Sequence, residues 1–285
     1  MTLAEIRQFY SEEIRLAAPL RSQAVIDAFA RVPREEFLGA GPWRIASGEI
    51  APGAAYFLTE DAQPRHVYHN IAIALDPGRN LNNGQPSTLA RWIEELAIQP
   101  GARVFHLGCG VGYYTAILAE VTGPEGHVFA CEVDGALAAR ARANLSRYAN
   151  VTVAAGDGAV LDPADCDAML INAGVTLPLP AWLDRLRQGG TMIVPLTVSM
   201  MPALGKGMAV KITRDGNAFP ARAIGLVMIY SCEGGRDPET EPALGKAMAA
   251  YSLTRLTCVL RDPHEARETC LVHGAHLCLS SGSVQ

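Results

Sequence analysis

Between residues 104 and 113 the chain runs Val-Phe-His-Leu-Gly-Cys-Gly-Val-Gly-Tyr: a short apolar run, three alternate glycines, then further apolar residues. Nothing else in the sequence restricts the fold as much. An apolar run this short is expected as a buried strand. Glycines at its end permit a tight turn into a helix and let backbone approach a bound group without an intervening Cβ. The surroundings repeat the same alternation. Leu89, Trp92, Ile93 and Leu96 predict a helix that ends before Pro100-Gly101. Strands are expected over 103–107, 127–132, 151–155, 167–171 and 191–195, with helices over 113–121, 135–148 and 180–187. Short strands alternating with helices predict an α/β fold with a doubly wound, mostly parallel sheet.

The flanks differ from this core. Residues 3–31 predict two amphipathic helices, the second stopped at Val32-Pro33. Residues 38–84 are irregular and rich in Gly and Pro, with one short apolar run at 71–75. A stretch of that length is too long for an ordinary connection and is expected to cover a site. Beyond Pro195, strands over 209–214 and 221–230 are expected to pair through Asp215-Gly216-Asn217. A helix near 241–251 and a polar tail follow. Three regions result: 1–84 with the N-terminal helices and covering segment, 85–200 as the core, and 201–285 as a C-terminal hairpin, helix and tail.

Apolar residues at 49% and charged residues at 19% predict a well-buried core. The net charge of -5 argues against a nucleic-acid partner. Seven cysteines spread along apparent strands and loops fit reduced thiols. With no signal-like N-terminus and no long apolar run, a cytoplasmic chain without membrane contact is expected.

Two kinds of ligand compete for the glycine loop. A dinucleotide site expects G-x-G-x-x-G with a pyrophosphate on the helix N-terminus. Here the third glycine comes one residue early, and Tyr113 stands where that pattern wants glycine. The shorter loop suits a ligand without phosphates, such as the amino-acid end of S-adenosylmethionine. Gly108, Cys109, Gly110, Gly112 and Tyr113 are therefore expected to hold it. Glu132, followed by Val133, lies about 20 residues further on, where an acid at the next strand's tip reaches ribose hydroxyls. Asp134 is the alternative for that role. Asp157, inside Gly156-Asp157-Gly158, is expected to receive the adenine amino group, with Gly158 beside it. Asn172 follows the strand over 167–171 and is a candidate for contact with donor or acceptor.

At this point the chain resembles the protein-L-isoaspartate O-methyltransferases. The resemblance runs from Arg31-Val32-Pro33-Arg34-Glu35-Glu36-Phe37 through Gly84-Gln85-Pro86, the glycine loop, Glu132 and Gly156-Asp157-Gly158, then through Leu186-Arg187-Gln188-Gly189-Gly190 to Ile193-Val194-Pro195. It implies a Rossmann-like class I methyltransferase fold with extra N-terminal helices, and methyl transfer from S-adenosylmethionine to a carboxylate, leaving S-adenosylhomocysteine. The sequence departs from the family in two places. The family motif Ile-Ser-x-Pro, whose serine sits at the active centre, is here Asn83-Gly84-Gln85-Pro86, and the usual Glu-Ile before the loop is His106-Leu107.

A carboxylate is already ionised at neutral pH and needs no base to accept a methyl group, whereas an alcohol or phenol does. Gln85 and Ser87 beside the departed serine, His66 within the 65–70 run, and Asn172 are the candidates at the acceptor. The acceptor is expected to be a carboxylate or other oxygen on a peptide or small molecule. Authentic isoaspartyl repair, O-methylation of a metabolite hydroxyl, and a donor-binding scaffold are the alternatives. Asn172-Ala173-Gly174-Val175 lacks the Asn/Asp-Pro-Pro-aromatic motif of base methylation, so nucleic acid is not expected. Cys270, His273, His276 and Cys278 could each bind zinc, but four ligands within nine residues are hard to arrange tetrahedrally, and no metal is expected.

Overall fold

The computed structural model describes residues 1–46, 56–201 and 203–282; residues 47–55 of the covering segment, 202, and 283–285 of the tail lie outside the described residues. The described chain divides into two compact units. One comprises 1–101, 109–128 and 134–153, and the other 102–108, 129–133 and 154–285.

The first unit is helical. Helix α1 (Leu3–Ala17) starts at Thr2, whose hydroxyl accepts the Glu5 N–H while the Glu5 carboxylate accepts the Thr2 N–H, a capping box. It buries Tyr10, Ser11 and Ile14. Helix α2 (Gln23–Arg31), capped by Ser22, buries Val25, Ile26, Ala28 and Phe29. It stops at Val32 because Pro33 has no N–H to continue the ladder. After a single helical turn at Glu35–Leu38, the longer helices of this unit are α3 (Pro86–Leu96), α4 (Tyr113–Thr122) and α5 (Gly135–Asn144).

The fully buried Arg34 organises this unit. Its guanidinium donates to the carbonyls of Val67 (2.7 Å), His69 (3.0 Å) and Ile71 (2.7 Å), and its backbone N–H donates to the Tyr68 hydroxyl. The rings of Tyr10 and Tyr113 lie 5.8 and 5.7 Å from the cation. Arg34 thus ties down a segment with little regular pairing, and the Glu13 carboxylate adds an acceptor for the Asn70 N–H.

Ten strands of the described chain pair in one sheet. Its strands are β1 (Arg103–Leu107), β2 (His127–Glu132), β3 (Val151–Ala155), β4 (Cys166–Ile171), β5 (Leu186–Met201), β6 (Leu204–Thr213), β7 (Phe219–Tyr230), β8 (Cys258–Leu260), β9 (Cys270–His273) and β10 (Cys278–Ser280). The order is β3-β2-β1-β4-β5-β6-β7-β8-β10-β9. β1 pairs parallel with β4, and β4 with β5; the strands from β5 onward pair antiparallel. In the second unit, Phe105, Met169, Ile171, Val194, Leu196, Val210 and Ile212 form a core with Trp182 and Leu183 of α6 (Pro180–Arg185). Helix α7 (Glu241–Ala249) adds Leu244 and Ala247.

Four expectations need correction. The helix expected over 135–148 ends at Asn144. The helix expected over 180–187 ends at Arg185, and β5 begins at Leu186, well before the expected Thr191. Gly189-Gly190 looks like a break, but Gly189 N–H donates to the Arg214 carbonyl and Arg214 N–H to that of Gly190, so pairing continues through them. Strand β6 likewise begins at Leu204, five residues before the expected start. The tail is not simply polar: β8, β9 and β10 join the sheet, each too short for period-2 alternation to be visible. No described helix is long and apolar enough to cross a membrane.

Replacing Arg34 by Met would leave three buried or half-buried carbonyls without their charged donor. A destabilisation of about 3–5 kcal/mol is expected, measured by urea unfolding. A loss below about 1 kcal/mol would remove Arg34 from its organising role.

Candidate active site

Gly108 belongs to the second unit, at the end of β1. Its φ of +73° is the left-handed region, and a Cβ there would stand 2.9 Å from the Asn172 carbonyl oxygen. Glycine is needed for both reasons. The turn is held by Gly108 N–H donating to the Cys131 carbonyl, by Asn172 N–H donating to that of Leu107, and by Asn172 Nδ2 donating to that of Gly108 (3.2 Å). Asn172 is thus engaged in supporting the turn.

Glu132 ends β2 and is only 7% exposed, while Val133 beyond it is half exposed. The Glu132 carbonyl accepts Gly156 N–H, tying the end of β2 to the residue before Asp157. Asp157 Oδ1 accepts the Ala159 N–H (2.8 Å), an Asx turn, and a Cβ on Gly234 would stand 2.6 Å from Oδ2. The C-terminal segment therefore comes up against Asp157, which the sequence did not suggest. Cys232 N–H donates to the Gly174 carbonyl, and Thr176 N–H to that of Gly235, securing the segment. Gly158 accepts a 3.1 Å hydrogen bond from Trp182 Nε1.

Residues 109–113 belong to the first unit. Gly112 N–H donates to the Cys109 carbonyl, and Gly112 begins α4. Gly110 is also left-handed, with φ +56°, and among the described residues a Cβ there would make ordinary van der Waals contact with Leu75 Cδ1 at 3.9 Å. Cys109 is buried. The Tyr113 ring is fully buried, its hydroxyl 3.3 Å from that of Tyr10, leaving only its backbone for a ligand. Asp134 is already occupied: Oδ1 accepts the Ala136 and Leu137 N–H groups at the start of α5, and Oδ2 pairs with Arg79 at 2.6 Å. The bond from Arg79, followed by the Leu137 N–H, holds this carboxyl below its ordinary range.

The candidates near the departed serine are gathered by Asn70. Gln85 Nε2 donates to the Asn70 carbonyl and Oδ1, and the same Oδ1 accepts the Ser87 backbone N–H at 2.9 Å. Ser87 is the second residue of α3. Gly84 has φ +72°, and a Cβ there would lie 3.1 Å from Leu89 Cδ2 and 3.2 Å from Tyr114 Cε2. The Tyr114 hydroxyl donates to the Gly84 carbonyl. Next to it, Asn83 Nδ2 is buried without a hydrogen-bond partner among the described residues. No local sequence signal marks Asn70 or Asn83, because an asparagine in an irregular segment is most often a turn residue.

His66 is placed elsewhere. Its Nε2 lies 2.8 Å from Asp61 Oδ1, and it lines a cleft of about 790 Å³ along α1 with Phe9, Tyr10, Glu13 and Tyr68. None of the donor-loop residues lines that cleft. His106, where the family has Glu, is fully buried on β1, and desolvation pushes its pKa down to about 3. Burial likewise raises the hydroxyls of Tyr113 and Tyr114 above their ordinary value.

Residues 11–214 match the family model for protein-L-isoaspartate(D-aspartate) O-methyltransferase (PCMT). A protein-L-isoaspartate O-methyltransferase of Methanothermobacter thermautotrophicus is 31% identical over 62% of this chain and 73% of its own length. One from a Bradyrhizobium species is 31% identical over 72% of this chain and 83% of its own. A crystal structure of a Plasmodium falciparum protein assigned to the same activity, in complex with S-adenosyl-L-homocysteine, superposes with a TM-score of 0.58 at 16% identity. It covers 80% of this chain and 98% of that one.

Two outcomes follow from the local geometry. Gly84→Ser forces a side chain into a left-handed, crowded position and should cost about 1–2 kcal/mol, read from denaturant midpoints; a neutral substitution would contradict the strain. His106 is neutral when folded, so its folded pKa lies below the unfolded value near 6.5. Its contribution is intact above that value and lost as pH falls from about 6.5 toward 3, at about 1.4 kcal/mol per pH unit. His106→Leu should flatten this acid-side loss when unfolding is followed from pH 7 to 5, and an unchanged slope would count against it.

Proposed function

The chain belongs to the protein-L-isoaspartate(D-aspartate) O-methyltransferase family, and we propose that it methylates a carboxylate oxygen, on a peptide or small molecule, using S-adenosylmethionine. The observation that carries this reading is the left-handed Gly108 turn at the end of β1, with the buried Glu132 ending β2. Left-handed glycines at 108, 110 and 112 carry no Cβ between backbone and a bound group, so the residues present fit the donor. When bound, the donor supplies an electrophilic methyl group on a sulfonium. Gly108 and Gly110 would approach its amino-acid end, and Glu132 would accept hydrogen bonds from the ribose hydroxyls. Asp157 would receive the adenine amino group through Oδ2, since Oδ1 is spent on its turn.

A carboxylate acceptor agrees with the local chemistry. The raised hydroxyls of Tyr113 and Tyr114 stay neutral at physiological pH and cannot serve as bases. A carboxylate needs only to be oriented against the methyl group. Asn83 Nδ2, a buried donor lacking a partner among the described residues, is suited to orient an acceptor oxygen. Gln85 and Ser87, placed by Asn70, would shape the same region. Gly84 removes the family serine's hydroxyl, so selectivity for isoaspartyl over other carboxylates should be weak.

Methyl transfer to an isoaspartyl peptide, to its aspartyl counterpart and to small carboxylic acids tests the acceptor. Base-labile methyl esters without isoaspartyl preference are expected; strict isoaspartyl selectivity would instead establish repair, and donor binding without any transfer would establish a scaffold. Glu132→Ala should weaken donor binding by about 1.5–3 kcal/mol in calorimetry. Asp134→Ala should cost about 1 kcal/mol of stability through its helix cap and leave donor affinity unchanged. Reversal of these two results would move the ribose contact to Asp134.

A further inference from the structure

Beyond residue 214, where the family match ends, His264, Cys270, His273 and Cys278 each offer one ligand atom, and these atoms lie within 4.8 Å of one another. We propose that these four side chains form a structural zinc site.

The fold explains how they meet. Strands β9 and β10 pair antiparallel with His273 opposite Cys278, so those side chains share a face. Cys270 lies three residues before His273, and strict alternation would turn it to the other face. The register shifts between Cys270 and Val272, and such an irregularity re-aims a side chain. His264 arrives from the loop preceding β9, and its ring meets that of His273 at a centroid separation of 4.9 Å.

The distances and donor types suit one metal class. A tetrahedral zinc with two sulfur and two nitrogen ligands has ligand–ligand edges of about 3.3–3.8 Å. Cys270 Sγ and His264 Nε2 already stand 3.5 Å apart. His264 Nδ1 lies 2.7 Å from the Asp262 carbonyl, a contact that places the ring proton on Nδ1 and leaves the Nε2 lone pair for a metal. The Arg267 N–H donates to Cys270 Sγ at 3.3 Å, a contact that favours a thiolate. Two thiolates balance the ion's charge and two imidazoles complete the set, a combination that selects zinc over magnesium or calcium. With all four positions filled by protein the site is closed, as structural zinc sites are. It would tie the 261–269 loop to two short strands at the sheet's edge.

His276, which the sequence grouped with these residues, is not a member. The Gly274 N–H donates to the Leu277 carbonyl, leaving His276 exposed at the hairpin tip.

The full chain, purified under reducing conditions and stripped by chelation, should take up one zinc ion and, with cobalt instead, develop tetrahedral ligand-field and thiolate charge-transfer bands. His264→Ala and Cys270→Ser should lower zinc affinity about 100-fold or more. The exposed His273→Ala, least demanding on folding, should do the same with an unchanged circular dichroism spectrum. His276→Ala should bind as the parent does. Failure of the parent chain to bind zinc stoichiometrically, absence of the thiolate–cobalt bands, equal loss in His276→Ala, or a Cys270–Cys278 disulfide persisting under reducing conditions would each overturn the site.

Discussion

A guanidinium out of water must recover its lost hydration from fixed partners, and the first unit is arranged around meeting that demand for Arg34. Its partners are the carbonyls of Val67, His69 and Ile71 and the faces of Tyr10 and Tyr113. Those carbonyls belong to a segment with little regular pairing of its own, so the cation sets where it runs. Asn70 sits within that segment and in turn places Gln85 and the start of α3. Tyr113 opens α4 directly after the glycine loop. One buried charge therefore connects the N-terminal helices, the candidate acceptor residues and the entry to α4.

The two proposed ligand halves are built by different physical means. The donor turn relies on backbone: left-handed glycines, carbonyl and amide pairing, and one buried carboxylate at a strand end. The acceptor region relies on side-chain amides, Asn70, Asn83 and Gln85. Gly84 belongs to the first style while standing in the place of the serine in the family motif that the sequence resembles. Its left-handed backbone and the nearby Tyr114 ring make it an integral part of the local conformation.

Much of the core was legible because the signals are local. Strands β1, β2 and β3 have the bounds that their apolar runs predict. The two N-terminal helices follow their three-to-four spacing and their Thr2 and Ser22 caps. The extended β5 was not legible, because Gly189-Gly190 remains in the ladder only through Arg214. Glu132 and Asp134, two acids two residues apart, look alike in sequence. The Arg79 pair at Asp134, beside its cap on α5, is a tertiary contact that no local sequence signal carries. The same holds for the contact of His66 with Asp61 and its place in the α1 cleft.

By itself the sequence determined the alternation of strands and helices, the glycine turn, and a donor class without phosphates, because each depends on periodicity or on φ preferences within a few residues. Only the tertiary structure decided that Arg34 is buried, that Gly234 approaches Asp157, and that His264 rather than His276 completes the Cys/His cluster. Those outcomes depend on which distant segments pair and with what register, and a one-residue shift turns a strand side chain to the opposite face.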